Sequence, residues 1–212
     1  MGLAAACLQC VHLSCYTPGQ ERMYDIKEST MVAIEQRPAT QTLHWTSVPG
    51  PIGPCVVMAT ENGVCWTGTP GTTPDMGFAW VKRKLPIERV VEGEKIGPLE
   101  KAVDELTRYL AGERVQFSCP LDLHGTAFQV AVWKELLRIP YGETRSYLDI
   151  AQAIGRPAAV RAVGAANGAN PIAIIVPCHR VIGSNGSLTG YGGGLPAKEW
   201  LLALEKDAGH QL

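Results

Sequence analysis

The chain is predicted to be α+β and built in two parts, a small sheet-containing unit followed by a mostly helical one, on three observations. Short strand-like runs cluster at 42–47, 55–59 and 64–67, separated by Pro-Gly-Pro and Glu-Asn-Gly turns. Apolar residues recur at three-to-four spacing over 97–110. Helix-start signals crowd the last hundred residues. A length of 212 residues, 46% of them hydrophobic and 18% charged, is ordinary globular composition with core enough for one large or two small domains.

Residues 1–36 open with a cysteine-bearing apolar segment and continue as a polar stretch carrying Met23 and Met31. They are expected to be an extension, either disordered or an artefact of start-site choice. The first basic residue is Arg22, which makes a poor secretory signal. Cys7, Cys10, His12 and Cys15 could in principle bind zinc, but a loose Cys/His grouping in an apolar segment is more often packing or happenstance, and no metal is expected there. Residues 37–115 are expected to form the N-terminal α+β domain. Its helix over 97–110 presents Leu99, Ala102, Val103, Leu106 and Leu110 on one face and stops at Ala111-Gly112. No chemistry is visible there, and a supporting role is expected.

Residues 116–212 are expected to be a second domain. Thr126 with Gln129 is a capping-box pattern opening a helix through Phe128, Val132, Trp133, Leu136 and Leu137, which Pro140 ends. Ser146 with Asp149 opens the next, stopped near Gly155, and Pro157 opens a third that ends near Asn167-Gly168. Two short helices about a glycine turn make a helix-turn-helix. The third helix has almost no side-chain bulk except Arg161, so its backbone could approach a narrow groove while one long cation reaches inward. Equally, its alanines could pack on neighbouring helices with Arg161 a solvated charge.

The strongest chemical signal is the run from Asn170 to Val181, where an apolar, strand-like segment leads into Pro177-Cys178-His179-Arg180. A thiol is a nucleophile only as the thiolate, and neighbouring His and Arg are the surroundings that lower a cysteine pKa. Cys178 is therefore the candidate nucleophile. The glycine-rich loop 184–194 lacks the Gly-Lys-Ser/Thr ending of a phosphate loop. With Tyr191 it suits one wall of a pocket for a flat base.

Net charge is −1, yet residues 127–200 carry +3, a mildly basic C-terminal part. Seven cysteines, an odd number without framework spacing, suit a reducing compartment, so a cytoplasmic protein is expected. No run of eighteen apolar residues offers a membrane span, and no membrane contact is expected.

Pro177-Cys178-His179-Arg180-Val181, followed by Gly186, Leu188, Gly190-Tyr191, Gly193-Gly194-Leu195, Lys198 and Leu201-Leu202, resembles the O6-alkylguanine-DNA alkyltransferases, the methylated-DNA–protein-cysteine methyltransferase family. The similarity extends upstream through 141–147 and 117–129, covering about the last hundred residues. It implies a ribonuclease H-like N-terminal domain and a winged-helix or helix-turn-helix C-terminal domain. It further implies DNA repair by irreversible, stoichiometric transfer of an alkyl group from O6-alkylguanine, and from O4-alkylthymine, after base flipping. The partner would be double-stranded DNA held through its minor groove by a monomer, with no cofactor and no metal.

By the same resemblance Cys178 is the alkyl acceptor, His179 takes its proton through a water, and Glu205 orients His179. Asn170 braces the turn before the active-site strand, and Tyr147 contacts the flipped nucleotide's phosphate and the leaving guanine. Arg161 takes the place of the extruded base, with Ser146, Tyr147, Ala159 and Ala162 also on DNA. Asn167, Val181, Tyr191, Gly192 and Gly193 line the base pocket. Read alone, Glu205 would be a solvated helix carboxylate, Tyr147 and Asn170 capping or packing residues, and Arg180 a structural tie. Two departures stand out. Ala173 replaces a proline of some relatives, leaving pocket width open, and Thr60 stands where zinc-binding relatives have a cysteine. Competing readings are a cysteine hydrolase using Cys178, His179 and Glu205, which would turn over repeatedly, and a lesion sensor, whose mass would not change.

Overall fold

The computed structural model describes residues 40–93 and 96–207; the extension with Cys7, Cys10, His12 and Cys15 lies outside them. Strands β1 (Gln41–Val48), β2 (Cys55–Thr60) and β3 (Gly63–Thr67) form an antiparallel meander. Helix α1 (Pro74–Lys84) then crosses the sheet to β4 (Ile87–Glu92), which pairs parallel to β1, giving the order β3-β2-β1-β4. Helix α2 (Gly97–Leu110) follows.

β2 and β3 are buried at every position, because both faces of the sheet are covered. One face packs Leu43, Val56, Met58, Cys65 and Trp66 against Val81 of α1 and Leu85. The other packs Val48, Cys55, Val57, Ala59 and Val64 against Leu99, Ala102, Leu106, Tyr109 and Leu110 of α2. Three strands and α2 lie where the sequence predicts them, whereas α1 and β4 carry no such signal. α1 buries only Gly77 and Val81 and so shows no apolar stripe. Gly77 itself is required, since a Cβ there would fall 2.5 Å from the Met58 methyl and 2.7 Å from the Trp66 ring. β4 is mostly solvent-facing, which removes the alternation that marks a half-buried strand.

Helix α3 (Ala127–Leu136) starts at the expected capping box, with Thr126 Oγ1 accepting from Gln129 N and Gln129 Oε1 from Thr126 N. Its Trp133 is buried and donates Nε1–H to Ala166 O at 2.8 Å, fastening α3 to the helix-turn-helix. That unit comprises α4 (Tyr147–Ala153), a 3-10 turn (Pro157–Ala159) and α5 (Val160–Gly168). The expected third helix thus begins as a 3-10 turn, with Ala159 at the cap of α5. A two-residue parallel pair, β5 (Arg145–Ser146) with β6 (Val181–Ile182), ties the start of α4 to the segment after the cysteine. Helix α6 (Leu195–Asp207) ends the described chain. No helix among the described residues is long and apolar enough to cross a membrane.

The outer edge of β3 is covered by C-terminal segments. Val64 N donates to Pro120 O and Asp122 N to Val64 O, both at 2.8 Å, while Thr67 N donates to Pro171 O at 2.9 Å. Covering this edge seats the cysteine segment directly on the sheet.

Residues 172–176, expected as the active-site strand, are not a strand. They make only isolated bridges, Ile172 with Thr67 and Ala173 with Val176. Ile175 N donates to Ala173 O and Val176 N to Ile172 O, both at 2.9 Å, bending the chain around Ile174 at φ 70°. An isoleucine at positive φ costs on the order of 1–3 kcal/mol. The side chain of Asn170 offsets that cost: Oδ1 accepts from Ile172 N at 3.0 Å and Nδ2 donates to Val176 O at 2.9 Å. Local amide bonds therefore override the β propensity of Ile and Val.

Candidate active site

The bend delivers Cys178 to the head of a 3-10 turn (Cys178–Arg180), with Cys178 N bonded to Val176 O at 2.8 Å. Asn167, on the buried face of α5, donates Nδ2–H to Cys178 O at 3.3 Å. The thiol is 5% exposed, and His179 and Glu205 are 0% and 1%. His179 Nε2 lies 2.8 Å from Glu205 Oε1. A carboxylate only accepts, so Nε2 carries the proton and Nδ1 is left as the basic nitrogen. Nδ1 is buried with no partner among the described residues.

Glu205 is held from four directions. Tyr109 Oη donates to Oε1 at 2.7 Å, Arg180 Nε to Oε2 at 2.9 Å, Arg180 Nη2 to Oε1 at 2.9 Å, and Gly142 N to Oε2 at 3.0 Å. Burial alone would raise its pKa, but the hydrogen bonds and charges of His179 and Arg180 outweigh that and bring it to about 2. Burial also depresses His179 below its ordinary 6.5, more than Glu205 raises it, so the imidazole rests neutral.

Contrary to expectation, the side chains of His179 and Arg180 do not lower the thiol. Burial pushes Cys178 up, against the Asn170 amide, the Lys198 charge and the backbone N–H groups of 178 and 179. Arg180 is committed elsewhere, to Glu205 and, through Nη1, to Ile139 O at 2.7 Å. The resting state is a neutral thiol beside a neutral base, with donors in place to receive the thiolate once the proton leaves.

Lys198, part of the motif running from Gly186 to Leu202, is fully buried. Its Nζ donates to Val181 O at 2.6 Å and to Thr189 O at 3.0 Å, joining the segment after the cysteine to the glycine-rich loop. Lys198, Leu201 and Glu205 stand at i, i+3 and i+7 of α6, and that spacing was the available signal for a buried polar face. Tyr109 and Gly142 gave no such signal, because each meets Glu205 only through the fold.

Tyr147 lies at the start of α4 against Gly164 of α5, and its hydroxyl donates to Thr189 O at 3.3 Å. Ser146 caps α4 through Asp149. Tyr191 is half-buried, with its hydroxyl buried and raised well above its ordinary pKa by burial and then by the nearness of Cys178. Gly192 is open, whereas Gly193 backs onto Thr69 of the N-terminal half.

Helix α5 turns Val163, Ala166 and Asn167 inward and leaves Arg161, Ala162, Ala165 and Gly168 exposed, with Ala159 half-buried. The exposed face is small side chains around one long cation, as the sequence suggested. Among the described residues no group of three or more His, Cys, Asp or Glu comes together to hold a metal.

Comparison with known proteins follows this division of the chain. Residues 43–123 match the family model described as 6-O-methylguanine DNA methyltransferase, ribonuclease-like domain, and residues 127–207 that described as 6-O-methylguanine DNA methyltransferase, DNA binding domain. The inducible methylated-DNA–protein-cysteine methyltransferase of Bacillus subtilis is 46% identical over 171 residues, covering 81% of this chain and 94% of the relative. The methylated-DNA–protein-cysteine methyltransferase of Mycobacterium leprae is 49% identical over 164 residues, 77% of this chain and 93% of its own. The crystal structure of Mycobacterium tuberculosis OGT in complex with DNA aligns with a TM-score of 0.65 at 47% identity, covering 78% of this chain and 94% of that one.

Proposed function

This chain belongs to the 6-O-methylguanine DNA methyltransferase family, and from that premise we propose that it repairs DNA by moving the alkyl group of O6-alkylguanine onto Cys178. The observation that carries the proposal is the buried series Cys178, His179 and Glu205 lying behind a helix whose exposed face is small except for Arg161.

The chemistry follows from the resting state. His179 Nδ1 takes the thiol proton through a water, and Glu205 stabilises the imidazolium that forms. The thiolate sulfur attacks the alkyl carbon, the carbon–O6 bond breaks, and its electron pair leaves with guanine, assisted by a hydrogen bond from Tyr147. The target base must leave the duplex to reach a thiol this buried. Arg161 fills its place from the minor groove, with Ser146, Ala159 and Ala162 against the DNA backbone. Asn167, Val181, Tyr191, Gly192 and Gly193 surround the base. The product is a thioether that no neighbouring group can cleave, so each molecule acts once.

O4-alkylthymine is a second substrate of the same pocket. The protein acts as a monomer in the cytoplasm, residues 37–115 supporting residues 116–212, which bind DNA and accept the alkyl group. The test is intact-protein mass after mixing with a duplex holding one O6-methylguanine, then peptide mapping. One methyl on Cys178, stopping at one equivalent and absent in Cys178→Ala, is expected. An unchanged mass with a free thiol refutes the proposal.

A further inference from the structure

The end of β3, in the N-terminal half, meets both walls of the proposed pocket. Thr67 holds the bend before Cys178 by three hydrogen bonds: N to Pro171 O at 2.9 Å, Oγ1 to Ala173 O at 2.5 Å, and Ala173 N to Thr67 O at 3.3 Å. Two residues on, Thr69 meets the opposite wall. A Cβ on Gly193 would lie 2.6 Å from both Cβ and Oγ1 of Thr69 and 3.0 Å from its Cγ2, so the loop backbone rests directly on this side chain.

Thr69 is 7% exposed, and its hydroxyl is buried without a partner among the described residues. A buried hydroxyl making no bond is a cost to the fold, so what Thr69 offers the loop is its volume. Its mounting is firm. Thr69 O accepts from Thr72 N at 3.0 Å and Thr72 Oγ1 at 2.7 Å, while Gly68 N and Gly71 N bond to Val56 O and Pro54 O at 2.9 and 3.0 Å. The loop it meets has no such rigidity of its own, being rich in glycine between Thr189 and Leu195.

We infer that Thr69 is a specificity-determining positioning residue, which through Gly193 sets how far the Tyr191 loop stands from the Cys178 bend and hence how large an O6 substituent is accepted. The inference rests on the alkyl-transfer reading above. In-line attack by sulfur places any substituent on the reacting carbon sideways, between those two walls. Thr67 and Thr69 belong to one short segment, so the width between the walls is fixed by a span of two residues.

The test compares single-turnover rates on duplexes carrying O6-methylguanine or O6-benzylguanine for wild type, Thr69→Ala, Thr69→Val and Thr69→Leu. The benzyl-to-methyl ratio cancels any loss of folded protein. Removing side-chain volume in Thr69→Ala is expected to raise that ratio about tenfold and adding it in Thr69→Leu to lower it by a similar factor, the scale on which a methylene in a pocket discriminates. Thr69→Val, which keeps the branched shape and removes only a hydroxyl that makes no hydrogen bond, is expected to keep the wild-type ratio within about twofold. Ratios that stay within twofold in all three variants overturn the inference while leaving alkyl transfer intact. A wild type inert towards the methyl duplex overturns the alkyl-transfer reading itself and the inference with it.

Discussion

His179 Nε2 sits 2.8 Å from Glu205 Oε1 with both side chains buried, and this contact decides which imidazole nitrogen is basic. Because Glu205 can only accept, it pins the proton on Nε2 and leaves Nδ1 free to take another. Arg180 and Tyr109 keep the carboxylate from rotating away. The arrangement holds a base ready while the thiol stays protonated until substrate arrives.

A neutral His179 predicts the acid side of the rate profile. Burial holds this imidazole below 6.5, so single-turnover transfer is expected to stay flat as pH falls to that value and to decline only below it. Stopped-time mass measurements across pH check this, and a midpoint above 6.5 contradicts it. In Glu205→Gln the imidazolium loses its counter-charge, and transfer at neutral pH is expected to slow on the order of 10²-fold.

The same carboxylate predicts a pH-dependent stability difference. Its pKa falls from 4.5 to about 2 on folding, so its contribution is complete above about 4.5 and disappears as pH drops through about 2. Glu205→Gln is expected to cost about 3–5 kcal/mol at neutral pH by leaving Arg180 buried without its partner. Denaturant midpoints of wild type and variant are expected to converge between pH 4.5 and 2.

Asn170→Ala removes the bonds that hold Ile174 at positive φ. The expected loss is about 1–3 kcal/mol, read from the urea midpoint, because Ile172 N is left without its acceptor while Val176 O keeps only its bond from Cys178 N. Transfer by the remaining folded fraction is expected to slow as well, since the thiol is placed by this bend.

Some of this was legible before any coordinates. The capping boxes at Thr126 and Ser146 announced α3 and α4, because capping is a local interaction with a fixed spacing. Cys178, His179 and Arg180 were visible as neighbours. Glu205 became a site residue through its place in a family pattern, since taken singly it reads as a solvated helix carboxylate and only its spacing from Lys198 and Leu201 marks it otherwise. The bend at 172–176 was hidden because its cause is one amide side chain overriding four β-branched residues, Ile172, Ile174, Ile175 and Val176. Tyr109, Gly142 and Thr69 were out of reach, since each acts by long-range contact.

Lys198 is a buried cation whose partners are carbonyls of two different segments. Lys198→Met keeps most of the volume but removes the ammonium donor from Val181 O and leaves Thr189 O with only the Tyr147 hydroxyl. A stability loss of about 1–3 kcal/mol is expected. Faster backbone hydrogen exchange is expected at Gly190–Gly194, whose loop loses one of its two side-chain bonds to Thr189 O. Unchanged exchange there would show that the lysine does not restrain the loop.

Arg161 separates DNA handling from chemistry. It is exposed on α5, well apart in sequence from the thiol turn, and no hydrogen bond of the site passes through it. If it replaces the extruded base, Arg161→Ala is expected to slow transfer from a duplex by about tenfold or more, because the flipped state loses the side chain that fills the gap. Transfer from free O6-benzylguanine, which needs no flipping, is expected to be unchanged. Equal slowing on both substrates would place Arg161 in the chemistry, and no slowing on either would make it a solvated surface charge. The free-base rate also verifies folding of the variant, so a loss confined to the duplex can come only from DNA engagement.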